Sequence, residues 1–234
     1  MSGDIKFRSD MRVELVDWMG EDQRVVEAAK VSTLGDRSRG VEATEGFIDF
    51  LDRNRHGSPF EHSVFTFLVE CPIFVSREFM RHRIASYNEE SGRYKVMKGV
   101  FYVPADDRPL VQVGKPGEYR FEAGTLEQHE LVTDLFQLAA DTGYNLYQTM
   151  LDAGIAREVA RDVLPFQLYT SFYVTMNARG LMNFLSLRVG DETAAYPSTP
   201  LYEIDLVARQ MEKHFAEKMP MTHKSFVQNG RVAP

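Results

Sequence analysis

Apolar and polar positions alternate through MRVELVDW (Met11–Trp18), which predicts a half-buried strand, and the spacing turns helical through EDQRVVEAAKVS. VEATEGFIDFLDRNR reads as a second helix, with Phe47, Phe50 and Leu51 at helical spacing and an end near His56-Gly57. SVFTFLVE (Ser63–Glu70) is dense in aromatic and β-branched residues and predicts a strand. Pro72 then opens a helix, PIFVSREFMRHR, because proline fits the first helical turn. IASYNEESGRY carries turn and capping residues and reads as loop, VFYVP as a short strand and VQVGKPGEY as loop. A long helix is expected from about Glu118 to Ala153, packing through Val132, Leu135, Phe136, Ala139, Leu146, Tyr147 and Met150, with Gly154 just past its end.

REVARDVLP is a short helix stopped before Pro165, FQLYTSFYVTM a strand and NARGLMNFLSLRV a helix. The last helix, about Pro200 to Met219, places Ile204, Val207, Ala208, Met211 and Phe215 on one face. Strands this few and scattered do not make a doubly wound sheet. The expected fold is α+β, a helix-rich single domain over residues 1–234 with a small, mostly antiparallel sheet.

With 44% hydrophobic and 26% charged residues in 234, the chain can bury a sizeable core. No run approaches the roughly 18 apolar residues of a membrane span, and the first residues lack the apolar stretch of a secretory signal. The single cysteine excludes an internal disulfide framework and a thiolate-only zinc site. A cytoplasmic protein with no membrane partner is expected.

Net charge is −7, so the whole molecule does not advertise nucleic-acid binding. Yet Arg77, Arg81, His82, Arg83, Arg93, Lys95 and Lys98 cluster against only Glu78, Glu89 and Glu90. A basic pocket in an acidic protein suits a small polyanion better than a duplex. Neither familiar glycine loop for nucleotide phosphates is present, since Gly114-Lys115 runs into Pro116. His56, Glu61 and His62 match no common metal spacing, so no metal is expected. Cys71 reads as a small buried filler rather than a nucleophile.

Two clusters carry the chemistry. In REFMRHRIASYNEESGRYK, helical spacing puts Arg77 with Arg81, and Glu78 with His82; Ser91-Gly92-Arg93 adds a hydroxyl, convergent N–H groups and a guanidinium. That is a phosphate cradle without a P-loop, unless Glu89 and Glu90 simply pair with the arginines of a solvated helix end. The second is NARGLMNFLSLR, a largely buried helix that still carries arginines and asparagines. At the helical repeat Arg179, Asn183 and Ser186 share one stripe, and Asn177 and Arg188 another. A buried arginine needs an anionic or strongly accepting partner, either an acidic side chain or a ligand.

RHRIASYNEESGRY (Arg81–Tyr94) resembles the signature of the flavin-dependent thymidylate synthases, an Arg-His-Arg followed after seven residues by Ser. SPFEH (Ser58–His62), REVARDVLP (Arg157–Pro165) and NARGLMNFLSLR look like the same family and stand in its order, so the resemblance runs from roughly Lys30 to Arg188. It implies conversion of dUMP to dTMP, with methylenetetrahydrofolate as carbon donor and NADPH reducing bound FAD. It also implies a homotetramer whose active sites form between subunits, and chemistry that needs no cysteine attack on uracil. By resemblance, Ser58, Arg81, His82, Arg83, Glu89, Asn177, Ala178, Arg179 and Asn183 would bind FAD. Glu78, Phe79, Met80, Arg81, Glu89, Glu90, Ser91, Gly92, Arg93, Arg161 and Arg188 would bind dUMP, with the phosphate against Ser91, Gly92, Arg93 and Arg161. Arg188 would hydrogen-bond the uracil carbonyls, favour the anionic ring and so be catalytic. Two rivals remain at this level. One is a flavoprotein methylating another pyrimidine; the other is an RNA-binding module stacking bases on Tyr87 and Tyr94.

Overall fold

The computed structural model describes residues 4–116 and 118–234. In chain order the elements are β1 (Lys6–Arg8), β2 (Arg12–Met19), α1 (Asp22–Leu34), α2 (Glu45–Arg53), β3 (Val64–Pro72), α3 (Ile73–Met80), β4 (Ser86–Glu89), β5 (Val100–Tyr102), β6 (Val111–Val113), β7 (Arg120–Glu122), α4 (Leu126–Asp152), α5 (Arg157–Ala160), β8 (Tyr169–Asn177), α6 (Ala178–Arg188), α7 (Tyr202–Lys218) and α8 (Pro220–Gln228). Short 3-10 turns cover Gly35–Ser38, Ser58–His62 and Arg161–Val163. The fold is α+β, as the pattern of elements predicts. Among the described residues no helix is long and apolar enough to cross a membrane.

The chain divides into two compact units. One comprises the residues up to Asp10, Cys71–Ser76 and Glu90–Thr170; the other comprises Met11–Glu70, Arg77–Glu89 and Ser171–Pro234.

In the first unit α4 packs around Ala140, Tyr144 and Tyr147 against Met97, Phe101, Ala160 and Leu168. The buried face is therefore Ala140, Gly143, Tyr144 and Tyr147, and the expected stripe is corrected: Leu135, Ala139 and Leu146 face solvent. Small and aromatic residues won that face because the neighbouring chain approaches closely. A Cβ on Gly143 would lie 2.8 Å from Pro165 Cδ. The helix also begins later than expected, where Thr125 and Gln128 form a capping box. The antiparallel β6–β7 pair precedes it, β6 in the stretch expected as loop and β7 where the first turn of the helix was expected.

In the second unit the main sheet has strand order β2-β3-β8-β4, with β2–β3 and β4–β8 antiparallel. Alternate residues of β3 (Phe65, Phe67, Val69) are fully buried, and Phe65 meets Phe215 of α7 edge-on at 5.9 Å. All five residues expected on the α7 face, Ile204, Val207, Ala208, Met211 and Phe215, are fully buried. The α8 helix that follows had no counterpart in the sequence reading.

Candidate active site

In the second unit, α3 ends at Met80, so Arg81 and His82 leave the helical spacing expected for them. The reason is local. The half-buried Tyr87 hydroxyl, on β4, is shared between Phe79 O at 2.8 Å and His82 O at 2.7 Å, carbonyls that a longer helix would have satisfied itself. Burial pushes the Tyr87 phenol up to about 12, so it stays a donor. The segment after Arg83 is not all loop, since Ser86–Glu89 pairs with Phe172–Thr175 of β8.

This turn splits the Arg-His-Arg triplet. Arg81 and Arg83 are exposed, as is Ser58, whereas His82 is buried with Nε2 3.0 Å from Gly180 O and its ring edge-on to Phe184. A carbonyl only accepts, so Nε2 carries the proton. Burial, joined by the Arg188 charge, outweighs the Gly180 hydrogen bond and holds the imidazole below its usual range. His82 therefore ties the turn to α6 as a neutral ring. Phe79 is likewise core, between Phe172 and Phe184 at 5.0 and 4.9 Å, while Glu78 is half-buried and Met80 exposed.

Helix α6 carries the second cluster. Asn177 caps it, its Oδ1 accepting from Gly180 N at 2.8 Å, which leaves its amide nitrogen open. Ala178 is fully buried, its N–H bound to Ser63 O at 2.8 Å. Asn177, Arg179, Gly180 and Asn183 line a cavity of about 380 Å³ together with Glu61 and Ile84. Arg179 pairs with Glu61 at 2.6 Å. Its Nη2 and the Asn183 amide meet no partner among the described residues, which leaves the cavity with open N–H donors.

Arg188 closes the same helix. Its Nη2 lies 3.2 Å from Glu78 Oε2 and 3.3 Å from Glu78 O, and the two side chains are only 19% and 27% exposed. Its Nε is buried and has no hydrogen-bond partner among the described residues. An orphaned donor of that kind costs about 1–3 kcal/mol, which a ligand oxygen would return.

In the first unit, Ser91 Oγ accepts from Arg93 N at 3.3 Å, and Ser91 O accepts from Tyr94 N at 3.0 Å, so Ser91-Gly92-Arg93 is a tight turn. Arg93 pairs with Glu158 at 3.0 Å rather than with Glu89 or Glu90, and Glu90 bonds Lys95. The Arg161 stem packs on the turn, its Cδ 3.2 Å from where a Gly92 Cβ would stand. Ser91, Gly92, Arg93 and Arg161 are thus gathered in one place although about seventy residues separate them in sequence.

Sequence reasoning missed Tyr87 as a tether, and missed Glu61 and Glu158 as the carboxylates that aim Arg179 and Arg93. The signal was available: Glu61 lies within SPFEH, and Glu158 lies one helical turn before Arg161. Among the described residues no group of three or more His, Cys, Asp or Glu side chains could hold a metal ion.

An α+β frame that leaves arginine and amide donors open beside carboxylates has the chemistry of a protein binding anionic, carbonyl-bearing ligands. Comparison with known proteins narrows the class. The family model described as thymidylate synthase complementing protein matches residues 14–221. The flavin-dependent thymidylate synthase of Streptomyces coelicolor is 53% identical over 236 residues, covering 98% of this chain and 96% of that one. That of Tropheryma whipplei is 51% identical over 232 residues, covering 97% of each. A crystal structure of the UMP/dUMP methylase PolB from Streptomyces cacaoi, bound with 5-Br UMP, superposes with a TM-score of 0.93 at 50% identity, covering 99% of this chain and all of that one. The chain belongs to the flavin-dependent thymidylate synthase family and is an enzyme of the methyltransferase class.

Proposed function

We propose that the enzyme carries out the reductive methylation of dUMP to dTMP, with methylenetetrahydrofolate giving the carbon, NADPH reducing bound FAD, and no cysteine nucleophile. The observation that carries this reading is the buried, partnerless Nε of Arg188 beside the half-buried Glu78. A uracil carbonyl supplies the acceptor that Nε lacks. The guanidinium then stabilises the anionic ring formed when the N3 proton passes to solvent, which makes C5 a better nucleophile. Glu78 holds the guanidinium in place and limits the positive charge that is left bare.

Phosphate is assigned to Ser91, Gly92, Arg93 and Arg161, and the base or sugar to Glu78 and Arg81. Ser91 Oγ already accepts the Arg93 N–H, so its own proton is free to be donated, and no base is bonded to it to make it attack. Ser58, Arg81, Arg83, Glu89, Asn177, Arg179 and Asn183 are assigned to flavin, with His82 and Ala178 supporting them from the core. Flavin, when bound and reduced, would supply a hydride to uracil C6. Complete burial of Cys71 supports chemistry without a thiolate. The reading includes a homotetramer with active sites at subunit interfaces. Leu131, Leu135 and Leu138 lie exposed along one side of α4, an apolar stripe that a second copy would cover.

The test is the absorption spectrum with and without added FAD, then a dUMP titration, then tritium release from 5-tritiated dUMP with methylenetetrahydrofolate and NADPH. A flavin band perturbed by dUMP, followed by tritium release, is expected. A protein that takes up no FAD and does not respond to dUMP overturns the proposal. A second reading, UMP as an additional acceptor, is favoured by the likeness to PolB, named as a UMP/dUMP methylase. Equal tritium release from 5-tritiated UMP would establish it.

A further inference from the structure

The cavity lined by Asn177, Arg179 and Asn183 has one wall that none of the family motifs covers, formed by Ala233 and Pro234. Pro234 O accepts a hydrogen bond from Arg179 Nε at 2.6 Å, while Glu61 takes Nη1, also at 2.6 Å. The segment is firmly rooted. Arg231 is 6% exposed and grips Glu212 with two nitrogens, at 2.8 and 2.9 Å. Its guanidinium lies 5.1 Å over the Phe226 ring, and Gly230 O accepts from Ala195 N at 2.9 Å. Arg231 also adopts a left-handed backbone, with φ of 59°, which turns the chain toward the cavity.

Gly57 completes the arrangement. Its backbone is ordinary helical, with φ of −73°, so any residue could adopt it; the space could not hold one. A Cβ there would lie 2.5 Å from Arg179 Nε and 2.8 Å from Pro234 O. Gly57, Arg179 and Pro234 are thus packed in mutual contact, and two of the three guanidinium nitrogens are spoken for. Nη2 is left toward the cavity.

We propose that Arg231–Pro234 is a fixed strap that sets Arg179 for the flavin, which makes Gly57 and the strap positioning elements of flavin binding. An arginine already held on two nitrogens loses little further rotamer freedom when its third meets a ligand, and that pre-organisation appears as affinity. The inference rests on the assignment of flavin to this cavity.

The experiment titrates FAD fluorescence quenching with the parent chain, a form lacking Ala233 and Pro234, Gly57→Ala, Arg179→Ala, and the deletion combined with Arg179→Ala. The deletion and Gly57→Ala should each weaken FAD binding about three- to tenfold. Arg179→Ala should weaken it more, and the deletion should then add nothing, because the strap acts only through that side chain. Thermal unfolding of the apo forms is followed alongside, and Gly57→Ala decides the matter if the deletion does not fold. Unchanged or tighter FAD binding in both the deletion and Gly57→Ala overturns the proposal, as does a loss that persists in full in the Arg179→Ala background. If Arg179→Ala itself binds FAD like the parent, the assignment of flavin to the cavity fails, and the strap's role falls with it.

Discussion

Two arginine–glutamate pairs in this enzyme have opposite characters. Arg93 meets Glu158 at 3.0 Å with both side chains about half exposed, at 53% and 54%. Arg188 meets Glu78 at 3.2 Å with both largely sheltered, and its Nε has no partner among the described residues. An exposed pair is worth about 0–1 kcal/mol and is screened by salt, so an incoming phosphate can take the arginine from its carboxylate at little cost. A sheltered pair is expensive to break and fixes direction, which suits a group that must meet charge as it develops in one place. On the proposed assignment the first pair would exchange partners and the second would stay.

The sharpest way to break this contrast is Arg188→Ala. Turnover should fall by about 10²- to 10³-fold with flavin content kept, as for loss of one preorganised donor. Arg188→Lys should not rescue it, because one ammonium cannot serve Glu78 and a ligand oxygen in the guanidinium's geometry. Turnover near the parent value would make Arg188 a packing residue.

Ser91→Ala should come next, raising the KM for dUMP about tenfold by removing a hydrogen bond to a charged group, with measurable turnover left. Complete loss of methylation with intact dUMP binding, read by equilibrium titration, would give Ser91 a chemical role instead.

Glu158→Gln should do least at the site. Freeing Arg93 should tighten dUMP by no more than about threefold at low salt, and the gain should vanish at high salt. A large loss would mean that the exposed pair orders the Ser91 turn.

A separate effect, away from both pairs, is one of pH. Burial raises the Glu212 carboxyl, but hydrogen bonds from His223 and Arg231 outweigh it and hold the group at about 2, below its ordinary 4.5. A depressed carboxyl contributes stability that is present above the ordinary value and is lost as the pH falls through the folded one. Thermal unfolding should therefore show stability declining from pH 4.5 toward 2, and Glu212→Gln should flatten that decline.

How far the chain could be read depended on where the information lies. The α7 face was legible because five apolar residues at helical spacing have only one way to be buried together. The α4 face was misread because leucines look like core, yet Gly143 and its aromatic neighbours take the buried side and leave Leu131, Leu135 and Leu138 in solvent. The Arg179–Asn183 stripe was legible for the same helical reason as α7, and both residues line one cavity. His82 was not, since a triplet in sequence does not reveal which member Gly180 O will draw inward.

By itself the sequence determined what is local or periodic: the α+β class, the α6 helix, and the motifs that mark the family. Spacing and side-chain chemistry suffice for these, because each depends on neighbours within a few residues. Tertiary structure alone decided which carboxylate each arginine received and that Pro234 would reach Arg179. Those are meetings between residues from 55 to 118 positions apart, set by packing and by the need to satisfy buried donors, and no local pattern encodes them.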